Sequence, residues 1–127
     1  MSRSDDVWYS SSEWMDSRVA PGVRYELVRV SLVRRLEIAR RVRELLSELE
    51  YRGAGSEAED RLSAAMLQAS IDRLYIQWGL LQVEGLAIDG EPATIHSLLE
   101  KGPEALCREM AEALRRQCRL SEDERKN

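Results

Sequence analysis

The chain contains no phenylalanine, one histidine, two cysteines and three prolines in 127 residues. Nowhere does it approach the ~20 consecutive apolar residues that a membrane span needs. Each scarcity excludes something. With His96 alone and no CxxC or HxxxH spacing, no zinc ligand set is visible. Cys107 and Cys118, if their segment is helical, lie ~16 Å apart along its axis, too far for a disulfide, so both read as free thiols of a reducing cytosol. Neither sign of charge dominates: 19 basic against 23 acidic residues leave a net charge of -4 and no global attraction to nucleic acid or an anionic membrane. The start, MSRSDDVWYSSSEW, places acidic residues where a signal peptide needs a basic flank and an apolar run. These features lead us to expect one soluble, cytoplasmic domain.

What remains is mostly helical in pattern. Residues 1–22 are rich in Ser and Asp, close on Pro21-Gly22, and read as a flexible tail. Trp8 and Trp14 stand out there, because an indole in a tail docks either on its own domain or on a partner. Residues 23–30 alternate as a short strand. Ser31 then caps a helix to about Arg52, with Leu32, Leu36, Ala39, Val42, Leu46 and Leu49 at spacings of three and four, stopped by Gly53 and Gly55. Ser56-Glu57-Ala58-Glu59 opens a second helix as a capping box, running to Trp78. Its apolar residues fall on two faces, Leu62, Ala65, Met66, Ala69 and Ile76 against Leu67, Ile71, Leu74, Tyr75 and Trp78. Such a helix is central to its domain or turns one face to a partner.

Asp89-Gly90 is a type I′ hairpin signal, predicting a hairpin over residues 83–93 that could pair with the strand from Val23, with Pro92 confined to an edge. Thr94 caps a short turn through Leu98 and Leu99, Gly102 ends it, and Pro103 opens a last amphipathic helix to about Arg119. There Leu106, Cys107, Met110, Ala111, Ala113, Leu114 and Cys118 share one arc, and residues 121–127 read as a frayed end. The expected fold is mainly α: two long helices and a C-terminal helix, with a short N-terminal strand and a small hairpin, in a single domain over residues 23–120.

No constellation of acid, base and nucleophile stands out, and no catalytic residue, metal ligand or cofactor is assigned. Cys107 lies eleven residues from His96 without an orienting third group. Asp89 is explained by its turn, and Gly53 and Gly55 lack the GK[ST] of a phosphate loop. The densest basic run, Arg34, Arg35, Arg40, Arg41 and Arg43, is interleaved with acids, Glu37 with Arg41 and Arg40 with Glu44 standing at i,i+4 as on a solvated face. Arg35 and Arg43 project into the apolar arc. Each therefore needs a partner there, for which Asp72 of the next helix is the candidate, or else sits at an interface.

The stretch YIQWGLLQVEGLAIDGEPATIHSLLEKGP, residues 75–103, followed by a helix and a terminal Lys-Asn, resembles the tail assembly chaperones of long-tailed bacteriophages and prophages. The positions that carry the likeness are Trp78, Gly85, Asp89, Gly90, Pro92, Leu98, Leu99 and Pro103. The resemblance implies an oligomeric helical protein of the bacterial cytoplasm that binds the tape measure protein, keeps it soluble and helps load tail tube subunits. Many members of that family also exist in a longer form made by ribosomal frameshifting; Lys126-Asn127 can be encoded AAA AAC, which a preceding codon ending in A would complete to a slippery heptamer. On this reading the candidate partner-binding residues are Trp8, Trp14, Arg35, Arg43, Leu67, Ile71, Leu74, Tyr75 and Trp78. Two other classes stay open, a structural subunit of a phage neck or tail, and a small DNA-binding regulator using the arginine-rich helix over residues 31–52.

Overall fold

The computed structural model describes residues 6–50 and 57–126, with side chains over residues 6–48 and 61–119. In chain order the elements are β1 (Ser12–Asp16), β2 (Arg24–Val28), α1 (Leu32–Glu50), α2 (Glu57–Gly79), β3 (Leu80–Glu84), β4 (Ala87–Ile88), β5 (Glu91–Pro92), α3 (Ile95–Lys101) and α4 (Glu104–Lys126). The fold is mixed α/β, which corrects the expectation of a mainly α chain: β1, β2 and β3 form a three-stranded antiparallel sheet in that order, packed on the helices. The expected stops at Gly53 and Gly55 and the capping serine at Ser56 lie outside the described residues.

The difference lies at the N-terminus. Residues 12–16 are the edge strand of the sheet and not part of a tail, with Trp14 opposite Glu26 and Met15 opposite Tyr25. Because facing residues share a side of a sheet, Met15, Tyr25, Leu27 and Leu80 turn to the helices, while Ser12, Trp14, Glu26 and Gln82 make the outer face. On that outer face the Glu26 carboxylate accepts from the Ser12 hydroxyl at 2.5 Å and the Gln82 amide at 2.7 Å, and the Arg24 guanidinium lies 5.1 Å over the Trp14 ring. A register shift beside Glu26 pairs Leu27 with Leu80 and leaves Leu81 as the extra residue. This bulge buries Leu80 and sends Leu81 outward.

Gly85 then turns the chain at φ +81°, and a Cβ at this position would collide with the Gly22 carbonyl oxygen of the neighbouring turn. The expected hairpin is therefore split. Residues 80–84 continue the main sheet, and only β4 and β5, joined by Asp89 (φ 53°) and Gly90 (φ 81°), close the I′-type turn.

The core is the inner face of the sheet closed by helices: Tyr25 and Leu27 of β2, Ile76 and Trp78 of α2, Leu98 of α3, and Leu106, Met110 and Leu114 of α4. Along α4 the buried residues recur at Leu106, Met110, Ala113 and Leu114, one stripe of a helical surface. The backbone of α4 is helical through Lys126, beyond the boundary expected at Arg119. α3 owes its start to Thr94, whose hydroxyl accepts from the Ser97 amide at 3.0 Å while Ser97 Oγ accepts from the Thr94 amide at 2.9 Å. Because this cap positions the fully buried Leu98, Thr94→Ala is expected to lower stability by about 1 kcal/mol. The effect would be read as a lower urea midpoint at unchanged m-value.

Candidate interaction surfaces

The expected partner-binding residues do not form one surface. Trp8 is exposed (81%), and Trp14 is half-buried beneath Arg24 on the outer face of the sheet. Trp78 is a core residue whose ring meets Tyr75 edge-on at 6.0 Å and 83°. Its buried Nε1 has no hydrogen-bond partner among the described residues. Leu67, Ile71, Leu74 and Tyr75 are half-buried, on a helix that packs against α1.

The proposed pairing of Arg35 and Arg43 with Asp72 is not made. Arg35 is half-buried and donates from Nη2 to the Cys118 carbonyl at 3.1 Å, where α1 meets α4, and Arg43 is exposed. Asp72, 7% exposed, is instead held from α4: Arg115 Nη1 donates to its Oδ1 at 3.0 Å, and Gln68 Nε2 donates to the same oxygen at 3.0 Å. Arg115 also donates from Nη2 to Glu112 at 2.9 Å. By helical periodicity Arg115 projects away from the apolar arc of α4. A guanidinium on a long stem reaches over its own helix edge to a buried carboxylate, which a helical wheel does not represent.

Asp72 and Arg115 line a cleft of about 880 Å³ between α2 on one side and α3 with α4 on the other. Ala65, Ala69, Ile76 and Leu99 give it an apolar component, and His96 and Cys107 also face it. Burial pushes the Cys107 thiol up from its ordinary range, the Asp72 and Glu104 charges add to the shift, and Sγ donates to the Leu98 carbonyl at 3.7 Å. A thiol held protonated in this way is a poor nucleophile. Among the described residues no hydrogen bond joins it to His96, and no group of three His, Cys, Asp or Glu could hold a metal ion.

The residues missed by periodicity lie on α1. Its buried side is Ile38 with the half-buried Val42, Leu45 and Arg35, whereas Leu32 (68%), Leu36 (65%), Val33 and Ala39 are exposed. The first part of α2 likewise exposes Leu62 (62%) and Met66 (54%). Neither Glu37 with Arg41 nor Arg40 with Glu44 forms an ion pair within the described residues. Comparison with protein families, with curated proteins and with solved structures finds no match. No helix among the described residues is long and apolar enough to cross a membrane.

Proposed function

We propose that this protein holds a long helical client, in the manner of the tail assembly chaperones of long-tailed phages: it binds the tape measure protein in the bacterial cytoplasm, keeps it soluble and assists tail tube assembly. The observation that carries the reading is the set of large apolar side chains left uncovered on α1 and on the first part of α2, Leu32, Val33, Leu36, Leu62 and Met66. Scattered exposed leucines are ordinary on any surface. Here they recur along helical faces, which suits capture of an amphipathic helix. The cleft beside Asp72, between α2 and α3 with α4, offers a separate concave surface, and a homo-oligomer would multiply both.

Co-expression of the tagged chain with the longest helical reading frame of its own tail gene cluster, followed by pull-down in low and high salt, tests the proposal. We expect the client to be retained in both, since apolar contact is not screened. Its absence in both would overturn the reading. Nucleic acid recovered only in low salt would favour a DNA-binding regulator using the arginines of α1. A neck or tail subunit would remain in purified virions, from which a chaperone would be absent.

A further inference from the structure

We infer that the outer face of α1 is the seat of one client helix, and that this helix carries acidic residues beside its apolar stripe; the inference rests on the client-holding reading above. Leu32, Leu36, Ala39, Arg43 and Leu46 follow one another at spacings of four, three, four and three, all on the exposed side of α1. That alternation is the repeat by which one helix packs along another, and over 14 residues of rise it makes a seam ~21 Å long. Ala39 at its centre lets a second backbone approach closely.

Charge selects the occupant. Arg43 lies in the seam and Arg40 beside it; both are exposed, and neither forms an ion pair within the described residues, although Glu37 and Glu44 stand on the same helix. Two unneutralised guanidinium groups along an apolar stripe favour a partner whose flanking positions are Glu or Asp. A second copy of this chain fits poorly. Parallel pairing sets Arg43 against Arg43, and antiparallel pairing about Ala39 sets Arg40 against Arg40. Nucleic acid would satisfy the arginines and leave Leu32, Leu36 and Leu46 against phosphates, with no gain from their burial.

The test uses the full chain and two synthetic helical peptides, three heptads long, with one shared Leu/Ala seam and either Glu or Lys at the flanking positions. Fluorescence anisotropy in low salt is expected to show about tenfold tighter binding of the Glu-flanked peptide, from two partly desolvated ion pairs. The variant Arg40→Glu/Arg43→Glu, both sites being exposed, should keep its circular dichroism and reverse the order. Equal binding of the two peptides, an unchanged order in the variant, binding of a DNA duplex and neither peptide, or self-association abolished by Leu36→Glu would each overturn the assignment. The two proposals fail separately. A tape measure chain retained by Arg40→Glu/Arg43→Glu would leave the chaperone reading standing without this seat. A Glu-flanked peptide that binds while the tape measure chain does not would leave the seat standing without that client.

Discussion

Replacing Arg115 with methionine is expected to cost about 2–3 kcal/mol of unfolding free energy, the largest effect of any charged side chain on the α2–α4 contact. Arg115 reaches from α4 to Asp72 at 3.0 Å, and the Asp72 side chain is 11% exposed. Removing the guanidinium leaves a buried carboxylate with Gln68 as its one remaining donor within the described residues. Breaking a fully buried pair from one side typically costs about 3–5 kcal/mol. The Arg115 side chain keeps 21% exposure, so water can reach part of the site and the lower figure applies. Methionine keeps most of the packing volume along the cleft, so the loss reports charge and not a cavity.

The companion variant decides the interpretation. In Asp72→Leu/Arg115→Met the orphaned charge is gone and the cleft wall becomes apolar; at least half of the lost stability should return. Urea unfolding of the two single variants and the double gives the coupling directly. A loss below about 0.5 kcal/mol in Arg115→Met would mean that the pair behaves as a surface ion pair.

How far the sequence could be read depended on whether its signals were local. The Asp89-Gly90 turn, the Thr94 cap and the stripe of α4 are written in adjacent residues, and the structure has them where the chemistry predicts. α1 shows the limit of periodicity. It carries two apolar stripes, one through Leu32, Leu36, Ala39 and Leu46 and another through Ile38, Val42 and Leu45, and a 3.6-residue period fits either. Packing against α2 selects the second: Ile38 joins the core cluster, and Arg35 reaches the Cys118 carbonyl of α4. For β1 no local signal sufficed. Ser-Glu-Trp-Met-Asp alternates weakly, and what turns residues 12–16 into a strand is pairing with β2 together with a turn anchored by a residue more than 90 positions away. Arg40 and Arg41 of α1 each stand at i,i+4 from an acid, but side-chain pairing at that spacing is only a propensity. Which of them stay unpaired is a property of the folded chain.

That distant anchor, Glu109 of α4, carries the second large expectation. Its Oε2 accepts from the amides of Arg18 at 2.8 Å and Val19 at 3.2 Å, closing the turn between β1 and β2, while Oε1 accepts from the Tyr25 hydroxyl at 3.1 Å. The two amides belong to exposed residues and can turn to water, but Tyr25 is 1% exposed and its hydroxyl loses this acceptor. Glu109→Ala is therefore expected to cost about 2 kcal/mol, mostly from the stranded phenol. The acid limb should change with it. Burial pushes the Glu109 carboxyl up, but the hydrogen bonds from Ser17, the Arg18 and Val19 amides and Tyr25 outweigh it and hold the group below its ordinary range. A carboxyl lowered by folding contributes stability that is complete above its unfolded pKa and is lost as pH falls through its folded value. Burial, and then the Glu109 charge, push the Tyr25 phenol well up, so it stays protonated and donating throughout the acid range. Glu109→Gln retains an oxygen acceptor and loses the charge, so it should be less damaging than alanine and flatten the decline of stability below pH ~4.3. Chemical unfolding from pH 7 down into the acid range, compared between the native chain and Glu109→Gln, measures it. Parallel curves would show that the carboxylate charge contributes nothing, leaving the β1–β2 turn held by its own backbone bonds, from Ser17 to Val23 and from Val23 to Ala20.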